Sequence, residues 1–147
     1  MLNEKEKEIE KQKEYTRRLS IKEGSASMTA FGFGDSYITP FAVSLKSINF
    51  LIGLLSSFPS LIAPIFQIVG SNLMEKFSRK KIITIGVILQ ALMWIPMMIL
   101  GILMWRGILP NYLPIFLIIF YSIYAILGSI TAPSWLSMMG DVITDRI

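Results

Sequence analysis

The 147-residue sequence contains neither cysteine nor histidine. Without cysteine, the chain has no disulfide, thiolate nucleophile or cysteine metal site. Without histidine, it lacks the side chain that most often serves as a base, proton carrier or metal ligand near neutral pH. Glycine-rich phosphate-binding loops and nucleophile–base pairs are also missing. We therefore expect a protein that is not an enzyme and that holds no metal and no cofactor.

Charge is scarce over most of the chain. Of the 24 charged residues, 13 lie in the first 23 positions, and the other 124 positions carry only 11. A soluble domain usually contains about 25% charged residues, whereas this chain has 16% charged and 53% hydrophobic residues. The composition therefore predicts that lipid, not water, surrounds most of the chain. The net charge of +4 does not indicate nucleic acid, because the cations flank apolar intervals as membrane topology requires.

The charge pattern divides the chain into two regions. Residues 1–23 predict a charged cytosolic N-terminal tail, in which Glu and Lys spaced three or four apart favour a solvated helix. Residues 24–147 predict a transmembrane domain, because a spanning helix needs about 20 predominantly apolar residues. The fold class is thus an all-α membrane protein with four transmembrane helices. These helices are predicted near 24–45, 48–73, 80–104 and 112–139.

The basic residues also predict the orientation. With the N-terminus inside, twelve Lys and Arg residues lie on the cytosolic side, and only Lys46 and Arg106 lie outside. Cytosolic flanks of spanning helices carry the excess of Lys and Arg. We therefore expect a multi-pass protein of the cell membrane with both termini in the cytosol. Trp105 and Tyr112 fit the aromatic belt on the outer side.

Small and polar residues recur at helical spacing in three predicted spans. They lie three or four positions apart, which places each set on one helix face that should avoid lipid. For Gly53, Ser57 and Ser60 we favour packing against another helix. For Asn49 and Gln67, packing and the lining of a wet cavity remain equal alternatives. The sets are Ser25, Thr29, Gly32, Asp35, Ser36 and Thr39 in the first span, Asn49, Gly53, Ser57, Ser60, Gln67 and Ser71 in the second, and Ala125, Gly128, Ser129 and Ala132 in the fourth, where packing is favoured.

Asp35 lies midway along the first predicted span, in the run GFGDSYITP. An ionised carboxylate there costs about 3 kcal/mol on insertion scales, so such groups usually face a bundle interior or water. Asp35 is therefore the leading candidate for a proton, cation or substrate site, with Asn49 and Gln67 as weaker candidates. Two alternatives stay open. Ser36, Thr39 or another helix holds the carboxylate for packing alone, or the span begins later and leaves Asp35 at the interface.

The segment after the second predicted span reads SNLMEKFSRKK from Ser71 to Lys81. It resembles the loop between helices two and three of major facilitator superfamily transporters, GxxxD[RK]xG[RK][RK]. Ser71 and Ser78 stand at the two glycine positions of that motif. The charged positions match in kind: Glu75 stands at the acid, Lys76 at the first cation, and Arg79 with Lys80 at the basic pair.

The resemblance covers about residues 24–147, since the span-four segment from Ala132 to Arg146 is similar to the fourth helix of that family. It implies an alternating-access transporter of a small solute, with proton coupling through Asp35 as a further expectation. It also implies a latch in which the 75–81 loop contacts the end of span four, at Asp141 or Asp145. Because the family has twelve or more helices, we expect an N-terminal portion whose partners are the lipid bilayer, the small-molecule substrate and the remaining transporter helices.

Two other functions fit parts of the pattern. Four spans with an acid in the first one are also found in dimeric transporters of the small multidrug resistance type. The basic 75–81 loop and the charged tail do not fit that type. Alternatively, the chain is a non-transporting membrane subunit, and the small-residue faces are its assembly surfaces.

Overall fold

The computed structural model describes residues 4–45, 48–108 and 111–144 of the chain. Over these residues the protein is all-helical, and none of them forms a strand. The elements are α1 (Glu4–Ala30), a π-helical segment (Phe31–Asp35), α2 (Ser36–Ser44), α3 (Asn49–Lys76), α4 (Arg79–Trp105) and α5 (Leu113–Thr144).

Three of these helices are long and apolar enough to cross a membrane: α3, α4 and the Leu113–Gly140 part of α5. Each is free of charge over most of its length, and they correspond to the predicted spans 48–73, 80–104 and 112–139. Prolines occur inside all three helices, as expected where neighbouring helices meet the freed backbone groups. The prediction of a membrane protein built from helices therefore agrees with the described residues.

The first predicted span, 24–45, takes a different form. Its residues are helical, but they are divided between the end of α1, the π-helical segment and the nine-residue α2. None of these elements meets the length and composition of a candidate span. The reason lies in the sequence, because the helix that reaches Ala30 begins in the charged tail at Glu4. Helix α1 therefore contains both the predicted solvated helix of the tail and residues 24–30 of the predicted first span.

The chain divides into two compact units: Met1–Ile38 with Met139–Ile147, and Thr39–Met138. The second unit contains the α3–α4 hairpin, most of α5 and the end of α2. Its α2 end contacts α4, where Phe41 approaches Gly101 and the Ser44 hydroxyl lies 3.8 Å from the sulfur of Met104. Its most deeply buried side chains are Leu55, Leu113, Leu117 and Ser134.

Close helix contacts hold α5 against its neighbours within this second unit. A Cβ at Gly70 of α3 would lie 2.2 Å from the backbone oxygen of Ile130, so only glycine allows this approach. On α4, a Cβ at Gly86 would lie 2.7 Å from Cγ2 of Thr131. Small residues allow helix backbones to approach in this way inside a bilayer. We call these contacts the α5 junction.

Polar and aromatic contacts complete the α5 junction between α4 and α5. The Gln90 amide donates a hydrogen bond of 3.3 Å to the backbone oxygen of Tyr124. The same amide fills the space beside Gly128, where a Cβ would lie 2.6 Å from it. The Trp94 ring meets the Tyr124 ring edge-on, with centroids 5.8 Å apart. The packing favoured for the fourth predicted span is thus confirmed at Gly128, and Ser129 is buried.

The turn after α4 follows a standard helix stop. Gly107 has a φ of +68°, in the left-handed region that glycine adopts without strain. Its amide bonds to the Met104 oxygen at 3.0 Å, and the Ile108 amide bonds to the Leu103 oxygen at 3.0 Å, which is the Schellman arrangement. Trp105 and Tyr112 on either side of the turn are exposed, as the predicted aromatic belt requires.

Candidate functional site

Asp35 is the last residue of the π-helical segment Phe31–Asp35. Single π-helical turns inside α-helices are rare and are frequently found at functional sites. The segment contains Gly32 and Gly34, and each glycine disfavours a regular α-helix by about 1 kcal/mol relative to alanine. Asp35 is half-buried, and its Oδ1 atom is shielded from solvent. The leading candidate therefore lies at an irregular point of the helical backbone.

The other two candidates, Asn49 and Gln67, lie on α3 in the second unit, whereas Asp35 belongs to the first. They are 18 residues apart, which is five full helical turns, so they occupy the same face of α3. At 1.5 Å per residue, about 27 Å separates them along the helix axis. Both side chains are exposed. Asn49 and Gln67 therefore mark the two ends of a line along α3, not one pocket.

Small and polar residues lie between these two ends, and Ser71 continues the line about one helical turn beyond Gln67. They fall within an arc of about 100° on α3, at 100° per residue. All of them are exposed. We call this set the α3 polar stripe, and it consists of Asn49, Gly53, Ser56, Ser57, Ser60, Pro64, Gln67 and Ser71.

The α3 polar stripe does not pack against another described part of the chain. Gly53 has no atom within 4 Å of the position that a Cβ would take. The helix contacts lie on another face of α3, marked by the buried residues Leu55 and Gly70. Within the described residues α5 uses the face of Gly70 instead, so the packing that we favoured for Gly53, Ser57 and Ser60 stays a prediction for a helix from outside them.

The serine hydroxyls and the side-chain amides of the stripe differ in their hydrogen-bond partners. Ser56 donates to the Ile52 oxygen at 3.3 Å, and Ser60 donates to the Ser56 oxygen at 3.2 Å, so both turn back onto their own helix. A glutamine amide has two donors and an acceptor, and hydrocarbon offers no partner for any of them. Asn49 and Gln67 are therefore the members of the stripe that most need water or a further helix.

The motif segment is more helical than the predicted 75–81 loop. Glu75 and Lys76 are in the last turn of α3, and Arg79 already begins α4, so only Phe77 and Ser78 connect the helices. Phe77 donates to the Leu73 oxygen at 2.9 Å, and Lys81 donates to the Ser78 oxygen at 2.9 Å. These two bonds close the ends of both helices. The connection between the helices is thus shorter than the predicted 75–81 loop and consists of two residues.

Serine at the glycine positions of the motif causes no strain. Ser78 has a φ of −66° and a ψ of 136°, which any residue adopts. Ser71 is inside α3 and exposed. The structure therefore has no need of glycine at either position. The expected contact of this segment with Asp141 or Asp145 lies outside the description. The structure does not describe the side chain of Asp141, and it does not describe Asp145 at all.

The side chain of Gln90 and the role of Gly86 were not predicted from the sequence. Both residues lie in a charge-free interval. For Gln90, a polar amide in the middle of a predicted span was the feature of the sequence that could have indicated an interhelical contact. Gly86 gave no signal, because a lone glycine among aliphatic residues shows neither which helix it meets nor that it meets one.

Comparisons with protein families, curated proteins and solved structures found no match to this chain.

Proposed function

We propose that this chain is the N-terminal portion of a secondary transporter of the major facilitator type, which moves a small solute across the cell membrane. Three apolar helices of spanning length support the membrane location. The acidic and basic positions of the segment from Ser71 to Lys80 support the family resemblance. The observation that carries the proposal is the α3 polar stripe.

The stripe is as long as the membrane interior. From Asn49 to Ser71 it runs about 33 Å at 1.5 Å per residue, and the hydrocarbon core is about 30 Å thick. Its residues are exposed although α3 is apolar enough to span. A polar face of this length in a bilayer must line a water-filled space or meet another helix. A transport pathway between two helical halves provides the water-filled space.

The proposal also requires a fourth crossing within residues 24–45. The helical end of α1, the π-helical segment and α2 supply the length, and Asp35 is the one charge among them. Helices interrupted within the membrane are tolerated where they line a cavity, and transporters place ion sites at such interruptions. In this proposal Asp35 binds a proton or cation at the interruption, and both termini face the cytosol.

The water-filled path is testable by cysteine labelling, because these 147 residues contain no cysteine and cysteines elsewhere in the whole protein are first replaced by serine. Single cysteines replace Ser57, Ser60 and Gln67 of the stripe in membranes of cells that produce the whole protein. A membrane-impermeant maleimide should label these cysteines. Cysteines at Phe58, Leu61 and Ile65 are the matched controls, because these exposed side chains lie outside the arc of the stripe, on the apolar side of the same helix. Equal labelling of both sets, or labelling of neither, would reject the pathway.

The role of Asp35 is tested by Asp35→Asn, with Asp35→Glu as the control that keeps the carboxylate. The neutral amide is cheaper at mid-membrane than the charged group, so membrane insertion should hold or rise. Uptake driven by an imposed pH gradient should fall to background for Asp35→Asn. It should persist in part for Asp35→Glu. Uptake into vesicles, with and without the gradient, measures this, and undiminished gradient-driven uptake by Asp35→Asn returns the residue to packing.

One observation favours the alternative of a non-transporting subunit. Gly53, Ser57 and Ser60 are small enough to admit a second helix at close range, and Gly53 has open space before it. In that case, cysteines at Ser57 and Ser60 would resist the impermeant reagent. A cysteine at Gly53 would instead form disulfides between two copies on oxidation. This pair of results would replace the pathway with an assembly surface.

A further inference from the structure

We propose that the short α3–α4 connection binds the headgroup of an anionic phospholipid. Four cations lie within six positions there, against a single acid, Glu75. The cations are Lys76, Arg79, Lys80 and Lys81. Each of these side chains is exposed. Such a density of exposed positive charge at the end of two apolar helices is complementary to the negative surface of the cytosolic leaflet.

Helix stability does not explain where these cations lie. Arg79, Lys80 and Lys81 form the first turn of α4, and the N-terminal end of a helix carries partial positive charge. Three cations in that turn are therefore unfavourable for the isolated helix. An anion held among them offsets both their mutual repulsion and their repulsion from the helix end.

The apolar surface beside the cations selects a lipid over a soluble anion. Lys81, Ile85 and Ile88 are spaced by four and three residues, so they follow one another down a single face of α4. Ile85 and Ile88 are 57% and 55% exposed, and Phe77 in the connection is 57% exposed. A headgroup at Lys81 would thus have its acyl chain along Ile85 and Ile88. A free phosphate would meet only the cations.

The inference does not depend on the transport function, because it requires only that α3 and α4 cross the membrane with their connection on the cytosolic side. The test uses the full chain, purified and reconstituted in phosphatidylcholine vesicles. Spin-labelled phosphatidylglycerol and phosphatidylcholine are added separately, and electron spin resonance gives the association of each lipid with the protein. Phosphatidylglycerol should associate several-fold more strongly. High salt should reduce the difference, because salt screens exposed charges.

A triple variant identifies the site. Arg79→Gln, Lys80→Gln and Lys81→Gln together should bring phosphatidylglycerol down to the level of phosphatidylcholine, since cations near the membrane surface attract anionic headgroups. The matched control Arg17→Gln, Arg18→Gln and Lys22→Gln removes the same charge from exposed positions of α1 and should keep the preference. The pair Lys80→Arg and Lys81→Arg should also keep it. Far-UV circular dichroism verifies that each variant has the helical content of the wild type.

Four results would overturn the assignment. They are no preference for phosphatidylglycerol in the wild type, an equal loss in both triple variants, retention of the preference in the Arg79–Lys81 variant, and its abolition by millimolar inorganic phosphate. The last result would show that an anion alone suffices. If the Arg79–Lys81 variant loses helical content, the variant with Lys80→Arg and Lys81→Arg is decisive. Its charge equals that of the wild type, so loss of the preference in this variant contradicts headgroup attraction.

Discussion

Helices α5 and α3 carry similar small and polar residues but place them in opposite environments. In α5, the polar residues Ser122, Ser129, Thr131 and Ser134 are buried. In α3, the residues of the polar stripe are exposed. Of the most apolar 18-residue stretch of each helix, 28% is buried in α5 and 6% in α3. The same residue types thus serve packing in one helix and remain available for another partner or for water in the other.

The comparison shows that a small-residue face has to be assigned by what lies opposite it. Gly70 and Gly53 are both on α3, yet one meets the backbone of Ile130 and the other meets nothing within 4 Å. Thr131 on α5 bonds back to the Leu127 oxygen, as Ser60 on α3 does to Ser56. Sequence spacing alone would treat the members of each pair as equivalent. Substitutions at the α5 junction separate them.

The largest effect is expected for Gly70→Ala. The new Cβ would lie 2.2 Å from the Ile130 oxygen, and neither backbone is able to rotate away, so α3 and α5 have to separate. Overpacking of this kind destabilises by about 1–3 kcal/mol, and we expect the upper end. Unfolding in mixed detergent, followed by circular dichroism, measures the loss. Gly53→Ala on the same helix is the control, and it should keep or raise stability, because alanine favours a helix by up to about 1 kcal/mol over glycine. Equal effects of the two substitutions would contradict the close approach.

A smaller loss is expected for Gly86→Ala. Here the new Cβ meets Cγ2 and Oγ1 of Thr131 at 2.7 and 2.9 Å, and this neighbour is a side chain able to move. We expect about 1 kcal/mol, below the effect at Gly70. Because the strain comes from Thr131, the double substitution Gly86→Ala with Thr131→Ser should recover part of the stability by removing Cγ2. The same unfolding assay applies, and no recovery in the double variant would place the strain elsewhere.

The smallest effect is expected for Gln90→Leu. The substitution removes the 3.3 Å bond from the Gln90 amide to the Tyr124 oxygen and keeps a side chain beside Gly128. Interhelical hydrogen bonds in a membrane protein contribute about 0.6 kcal/mol on average. The unfolding midpoint should therefore shift only slightly. The exposed Gln67→Leu on α3 is the comparison and should not destabilise the described fold, and a larger loss there than at Gln90 would reverse our view of the two helices.

The sequence predicted the three apolar helices closely, because charges bound them. The predicted spans 48–73 and 80–104 begin within one residue of α3 and α4, whose first residues are Asn49 and Arg79. The predicted boundary between the tail and the first span at residue 24 does not coincide with the end of a helix. Gly24 stands at this boundary as a possible helix stop, but no proline does, and α1 continues through Gly24 to Ala30.

The candidate site was predicted only in part. Helical spacing placed Asn49 and Gln67 on one face, but it did not show that this face lies away from α5. That information comes from the close approach of Gly70 to Ile130, a contact between residues 60 positions apart that no local pattern encodes. The π-helical segment at Asp35 was likewise not predicted, because glycines weaken a helix without specifying which irregular form replaces it.

The two-residue connection between α3 and α4 has a consequence for the orientation of both helices. With only Phe77 and Ser78 between them, neither helix can enter the bilayer while the other waits at a distance. If both helices cross the bilayer, they therefore run through it in opposite directions with their connected ends on the same side, and the orientation of one determines the orientation of the other.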